Sequence, residues 1–173
     1  MPGSVRSKGI EMKTLYIVRH AKSSWKYPLL TDFERPLNQR GRKTARGMGT
    51  VLQGRAAQPD LILSSPANRA ATTARLIATA LEYPLEQIQY PAVLYQFDAQ
   101  ALIPVVQQID DANQSVMIVG HQPAVSAVVA FIAERAPAHF PTAAVCCLNL
   151  DIPAWAGIAG GCGQVIFFDR PNQ

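Results

Sequence analysis

The chain holds three histidines in 173 residues, and two of them follow short apolar runs. His20 ends "LYIVRH" and His121 ends "VMIVGH"; Arg19 stands immediately before the first. A third run, "LILSS", closes on Ser64 and Ser65, and Arg69 follows one helical turn later. Two guanidinium groups and two imidazoles without an acidic neighbour in sequence suit a tetrahedral oxyanion. The planar fork of arginine bonds two phosphate oxygens at once. A neutral histidine can attack phosphorus, and nearby cations depress its pKa and so favour the neutral form. The second imidazole, if protonated, would bind charge that develops on the transferring group. Taken singly, each residue has a plainer reading: a polar strand terminus for Arg19 and His20, a surface helix position for Arg69, a helix cap for His121. The joint pattern at three strand ends points to phosphoryl transfer.

These residues need elements that bring them together. "TLYIV" (14–18), "DLILSS" (60–65) and "SVMIVG" (115–120) read as buried strands. Between them lie helical patterns. One opens at Leu37 and Asn38, with Asn38 as N-cap, and carries Ala45, Met48 and Leu52 at helical spacing. A second covers 65–81 with Ser65 as cap and Pro66 in the first turn. "IQYPAVLY" (88–95) reads as extended. Asp98 is placed to cap a helix through Leu102, Val106 and Ile109, kinked or delayed by Pro104. A further helix spans 122–135. Two strands, 143–152 and 163–170, close the chain around the glycine-rich turn "AGIAGGCG". Strands alternating with helices predict a three-layer α/β/α sandwich around a mostly parallel mixed sheet, with ligands beyond the carboxyl ends of its strands.

The bulk composition narrows the function. Hydrophobic residues make up 49% of the chain and charged residues 16%, as in an ordinary globular core. No apolar stretch reaches the roughly 18 residues of a membrane span. Residues 1–12 have no apolar signal region and read as a loose extension to a single domain over 13–173, with Met12 a possible natural start. Cys146, Cys147 and Cys162 make a poor disulfide framework and read as reduced, in a cytoplasmic protein. No spacing suits a metal, and the glycine-rich turn lacks the ending of a P-loop, so no cofactor is implied. Residues 1–55 hold twelve of the sixteen Lys/Arg and only three of the twelve Asp/Glu. That basic third suggests an anionic partner. A nucleic acid is disfavoured, because no stacking aromatic series accompanies the charge.

Four blocks in order, "LYIVRHAKSS", "DFERPLNQRGRKTA", "LILSSPANRAATTA" and "VMIVGHQP", together resemble the histidine phosphatase superfamily and most closely its small SixA-type branch, the phosphohistidine phosphatases. The resemblance covers about residues 13–135 and implies a phosphoglycerate mutase-like fold. It implies that His20 is the nucleophile that becomes phosphorylated, that Arg19 and Arg69 clamp phosphate, and that His121 contacts the same phosphate. Arg35, in the "RPL" block, and Ser23 are implied substrate-binding residues. For Arg35 an ion pair with Asp32 or Glu34 stands as the alternative.

Two features depart from the pattern. Ala21 follows the histidine where the superfamily usually has glycine, which slightly limits backbone approach to phosphate. The general acid of larger members has no clear counterpart: Asp98 is a candidate, with helix capping as its alternative, and Asp32 a weaker one. A missing acid leans towards phosphohistidine, because a P–N bond breaks readily. The 16 residues between Leu81 and Asp98 leave little room for a lid, which leans towards a phosphorylated side chain on another protein, such as a histidine phosphotransfer domain, with inorganic phosphate as product. A small-molecule phosphomonoesterase and a non-catalytic phosphoprotein-binding module are the rival expectations.

Overall fold

The computed structural model describes residues 12–172, so all of the expected N-terminal extension except Met12 lies outside the described residues. Five strands form one sheet: β1 (Lys13–Arg19), β2 (Leu61–Ser64), β3 (Ser115–Gly120), β4 (Val145–Leu150) and β5 (Gly163–Asp169), in the spatial order β2-β3-β1-β4-β5. β1 and β2 both run parallel to β3, while β4 runs antiparallel to its neighbours β1 and β5. Four strands therefore point one way and β4 the other, the mostly parallel mixed sheet expected from the sequence.

Period-two alternation in these strands supplies two cores, because successive side chains leave opposite faces. Leu15, Ile17, Val116, Ile118, Cys146 and Leu148 are buried in one. Helices α3 (Ala99–Gln107) and α4 (Ala124–Ala133) cover it with Leu102, Val106, Val128 and Ile132. Tyr16, Val18, Met117, Val119 and Cys147 face the other. Helices α1 (Gln39–Gly54) and α2 (Asn68–Ala80) cover that face with Met48, Leu52, Ala70 and Ile77. The adjacent cysteines thus enter different layers, and all three are free thiols. No helix of the described residues is long and apolar enough to cross a membrane.

Most element boundaries follow the sequence expectation, with three differences. Asn38 caps α1 as expected, its side chain accepting from the Gly41 N–H at 2.7 Å. α2, however, begins at Asn68 rather than Ser65; Ser65 instead accepts from the Ala67 N–H at 3.2 Å in a tight turn that precedes the helix. Residues 88–95 are not extended throughout. Gln89 bridges to Leu63, and Ala92–Tyr95 then forms a 3₁₀ turn, since a short apolar run fits either conformation. α3 starts directly after its Asp98 cap and continues through Pro104.

One close approach positions the segment after β1. The Lys22 carbonyl accepts from the Asn38 N–H at 3.0 Å, and a Cβ at Gly41 would lie 2.1 Å from that same oxygen. Only glycine lets α1 lie against the loop that carries the site. Gly41→Ala should therefore destabilise the fold by about 1–3 kcal/mol, as overpacking does. Gly47→Ala, on the same helix with nothing within 4 Å of its Cβ, should stabilise it by about 0.5–1 kcal/mol. Urea unfolding of the two variants checks both signs.

Candidate active site

Register places the chemistry at one edge. Arg19 pairs with Gly120, and Ser64 with Val119, so the carboxyl ends of β1, β3 and β2 finish side by side. Two backbone bonds prolong the ladders: the His20 N–H donates to the Gly120 carbonyl at 3.0 Å and the Ser65 N–H to the Val119 carbonyl at 2.9 Å. His20, His121 and Ser65 thus start from adjacent, fixed points of the main chain. The His20 and His121 ring centroids lie 5.1 Å apart. Arg19, His20, Arg69 and His121 line one cleft of about 330 Å³, together with Ser23 and Arg35. That cleft is the space expected at the strand ends.

The hydrogen bonds fix what each ring nitrogen can do. His20 Nδ1–H donates to the Ala21 carbonyl at 2.7 Å. A carbonyl only accepts, so the proton sits on Nδ1 and Nε2 keeps its lone pair. His121 Nε2 lies 2.8 Å from Ser65 Oγ, and its Nδ1 is buried with no partner. Arg19 is held through Nη1–H to the Phe140 carbonyl at 2.8 Å, and its Nε–H is likewise buried without a partner. Buried polar atoms are normally satisfied. These orphaned atoms both belong to the cleft, as in a site that completes its bonding with a ligand.

Asp32 organises the guanidinium groups. Arg69 donates to its carbonyl at 2.6 Å and to Oδ2 at 3.0 Å. Arg35 donates to Oδ1 at 2.9 Å, and the Tyr95 hydroxyl to Oδ2 at 2.7 Å. Arg35 also bonds Ser23 Oγ and the Ser24 carbonyl, and its guanidinium stacks 3.3 Å from the Trp25 ring. Arg35 thus makes the ion pair with Asp32 that stood as its alternative reading, and it also lines the cleft. Partial burial would raise the Asp32 pKa, but the bonds from Tyr95, Arg69 and Arg35 outweigh it and hold the carboxyl at about 2. Such a group is ionised at neutral pH in the protein by itself, the opposite of the protonated state a general acid starts from.

Asp98, the first candidate for the general acid, is not among the groups that line the cleft. Its carboxylate is engaged as the α3 cap, accepting from the Gln100 N–H at 2.9 Å, and its neighbour Phe97 reaches the cleft instead. Ala21 does not obstruct the site either. Its methyl is buried in the α1/α2 core and its N–H donates to Thr73 Oγ1 at 2.9 Å. Sequence reasoning missed Trp25, Phe97, Gln122 and Thr142 on the cleft wall and Tyr95 behind Asp32. Thr142 precedes β4, whose antiparallel direction returns the chain to this edge, a placement with no local signal. Among the described residues no group of three or more metal-ligating side chains comes together.

Electrostatics settle the protonation state. Burial is the largest cause lowering the His20 pKa; the Ala21 bond opposes it, the Arg69, Arg19 and Arg35 charges add to it, and the value falls to about 4. Burial, then His20, Arg69 and Arg19, lower His121 to about 3, against a small opposing pull from Asp32. Both imidazoles are neutral at pH 7, so the expectation of one protonated partner is not met in the protein by itself. A phosphate dianion bound between them would raise both values. Since both folded values lie below the ordinary 6.5, the unfolded chain binds more protons from pH 6.5 down to about 3. Stability therefore falls as pH drops through that window. NMR titration should find both rings neutral at about pH 5.5, with His20 titrating higher in Arg69→Gln. A midpoint near 6.5 for either ring in the unaltered protein would contradict this account.

Comparison with known proteins agrees with this geometry. The family model of the histidine phosphatase superfamily (branch 1) matches residues 15–90. An uncharacterised protein of Mycobacterium tuberculosis is 31% identical over 166 residues, spanning 90% of this chain and 100% of that one. Another from Mycobacterium leprae is 30% identical over 169 residues, spanning 90% of this chain and 100% of its own. A crystal structure from Agrobacterium tumefaciens, assigned as phosphohistidine phosphatase SixA, superposes with a TM-score of 0.79 at 28% identity, covering 92% of this chain and 98% of that one. A protein histidine phosphatase SixA complexed with tungstate shares the fold, with a TM-score of 0.76 at 24% identity over 90% of this chain and 95% of the other.

Proposed function

The chain belongs to the histidine phosphatase superfamily, in its SixA-type branch, and as such is a phosphatase; on that premise we propose that its substrate is a phosphohistidine side chain of another protein. The observation that carries this reading is the chemistry of the cleft wall. It offers Arg19, Arg35, Arg69, Lys22 and two imidazoles but, among the described residues, no carboxyl group, and the carboxyl that pairs with Arg35 and Arg69, Asp32, is held ionised with a pKa of about 2. An alkyl phosphate ester needs a proton delivered to its leaving oxygen. Phosphohistidine does not. Its phosphorylated ring carries a proton on the other nitrogen, so when the P–N bond breaks the ring departs as neutral imidazole.

The steps follow from the bonding already described. Arg19, Arg69 and His121 bind the phosphoryl oxygens, spreading the charge of the transition state. The His20 Nε2 lone pair attacks phosphorus in line, the substrate P–N bond breaks, and a P–N bond to His20 forms. The Ala21 carbonyl stabilises the cationic phosphorylated ring through Nδ1–H. Water then attacks the phosphoenzyme, giving inorganic phosphate and returning His20 to its neutral form. Exposed Trp25 and Phe97, 77% and 43% accessible, stand on the cleft wall. Such a rim suits contact with a second protein.

A phosphotransfer domain carrying phosphohistidine tests the proposal. Wild type should release its phosphate and yield an acid-labile phosphoenzyme on rapid quench, and His20→Ala should do neither. The preference in kcat/KM over an alkyl phosphate should be at least about 10²-fold, the scale of a missing general acid. Equal turnover of the two substrates would favour the phosphomonoesterase reading, and binding without turnover the phosphoprotein-binding module. Asp32→Asn should weaken both substrates alike, because Asp32 positions Arg69; selective loss of the ester reaction would instead identify it as an acid.

A further inference from the structure

The proposed reaction draws on Arg19, Lys22 and Arg35 but leaves most cations of the basic N-terminal third without a role. Much of that charge lies on α1, where Arg40, Arg42 and Lys43 occupy the first turns and no acidic residue offsets them. Cations at a helix N-terminus oppose the helix dipole, so the fold gains nothing from them there. Neither they nor Lys22 and Arg170 form an ion pair with a carboxylate of the described residues.

Beside this end of α1 runs a trough of about 490 Å³, lined by Lys22, Arg40, Thr44, His139, Thr142 and Arg170 with no carboxylate among the described residues. Lys22 and Thr142 also line the cleft of His20, so the two hollows adjoin at these residues. The adjoining hollow shares Arg40, Thr44 and Arg170 and adds Lys43; both oxygens of its one acid among the described residues, Asp169, accept from Arg55, through Nε–H and Nη2–H. A cationic track therefore leads outward from the phosphoryl site.

We propose that this trough receives an acidic stretch of the phosphorylated protein, with carboxylates flanking the phosphohistidine; the inference rests on the phosphohistidine reading above. The form of the charge selects the occupant. Lys22, Arg40, His139 and Arg170 are all exposed and spread along the trough. The cleft gathers buried, convergent donors around one tetrahedral anion, whereas these groups match charge distributed along a chain. Exposed cations of this kind raise the encounter rate and fix orientation while leaving chemistry to the cleft.

The test uses the full chain and two phosphohistidine peptides that differ only in Asp/Glu or Asn/Gln flanks, with phosphoimidazole as the small substrate. Wild type should favour the acidic peptide by about tenfold or more in kcat/KM at low salt. Arg40→Glu/Arg170→Glu should abolish that preference and leave phosphoimidazole turnover unchanged, while Arg40→Lys/Arg170→Lys should retain it. Fluorescence anisotropy of the unphosphorylated acidic peptide supplies a second readout, expected to weaken about tenfold or more in the Glu variant. Equal turnover of both peptides by wild type, or equal binding of the acidic peptide by wild type and Glu variant, overturns the proposal. Tighter binding of a single-stranded RNA than of the acidic peptide overturns it too. If no phosphohistidine compound is turned over but the acidic peptide binds wild type and not the Glu variant, the substrate reading fails and the acidic-segment site stands.

Discussion

One carboxylate makes the rest of the site tenable. Arg19, Arg35 and Arg69 crowd the carboxyl edge of the sheet beside two buried imidazoles, and like charges at that spacing repel. Asp32 answers the repulsion from behind, bonding Arg69 twice, Arg35 once and Tyr95 once. The remaining guanidinium, Arg19, is tied to the Phe140 carbonyl. Each cation is thus anchored by a hydrogen bond while it lines the cleft. The same crowding adds to burial in keeping both imidazoles neutral. Anion affinity and nucleophilicity at neutral pH therefore have one common origin.

Much of this was legible in the sequence because the decisive residues end apolar runs. A buried strand must stop where its pattern stops, and Arg19, His20, Ser65 and His121 lie at those stops. Parallel pairing then juxtaposes them without further information. The strand limits, the Asn38 and Asp98 caps and the two closing strands were readable for the same local reason. What depended on spatial order was not. The reversed direction of β4 carries Phe140 and Thr142 to the site, and no residue near them signals it. Asp32 stands close in sequence to Arg35 and so could be linked with it, but its bonds to Arg69 and Tyr95 span 37 and 63 residues. For Asp98 a cap and an acid look alike in sequence, and the structure shows the cap, through the Gln100 N–H.

The architecture divides labour between depth and breadth. Deep groups, 8% exposed or less for His20, Arg35, Arg69 and His121, are positioned by main-chain ladders and a shared carboxylate, and on the proposed reading they take one phosphoryl group. Shallow groups on α1 and around the cleft mouth are held by little besides their own backbone. Rigid donors discriminate by geometry and mobile surface cations by field, so each layer can vary without disturbing the other. Gly41 is where the layers meet, since it sets how closely the cation-bearing helix lies against the loop that carries His20.

The bond from His20 Nδ1 to the Ala21 carbonyl also has a regiochemical consequence. With one ring nitrogen tied to the main chain, phosphorus can bond to the enzyme only at Nε2. On the proposed mechanism the covalent intermediate would therefore be a single isomer, the tele-phosphohistidine, whichever nitrogen of a partner's imidazole bore the phosphoryl group on arrival. The enzyme would erase that distinction between incoming isomers before water enters the reaction.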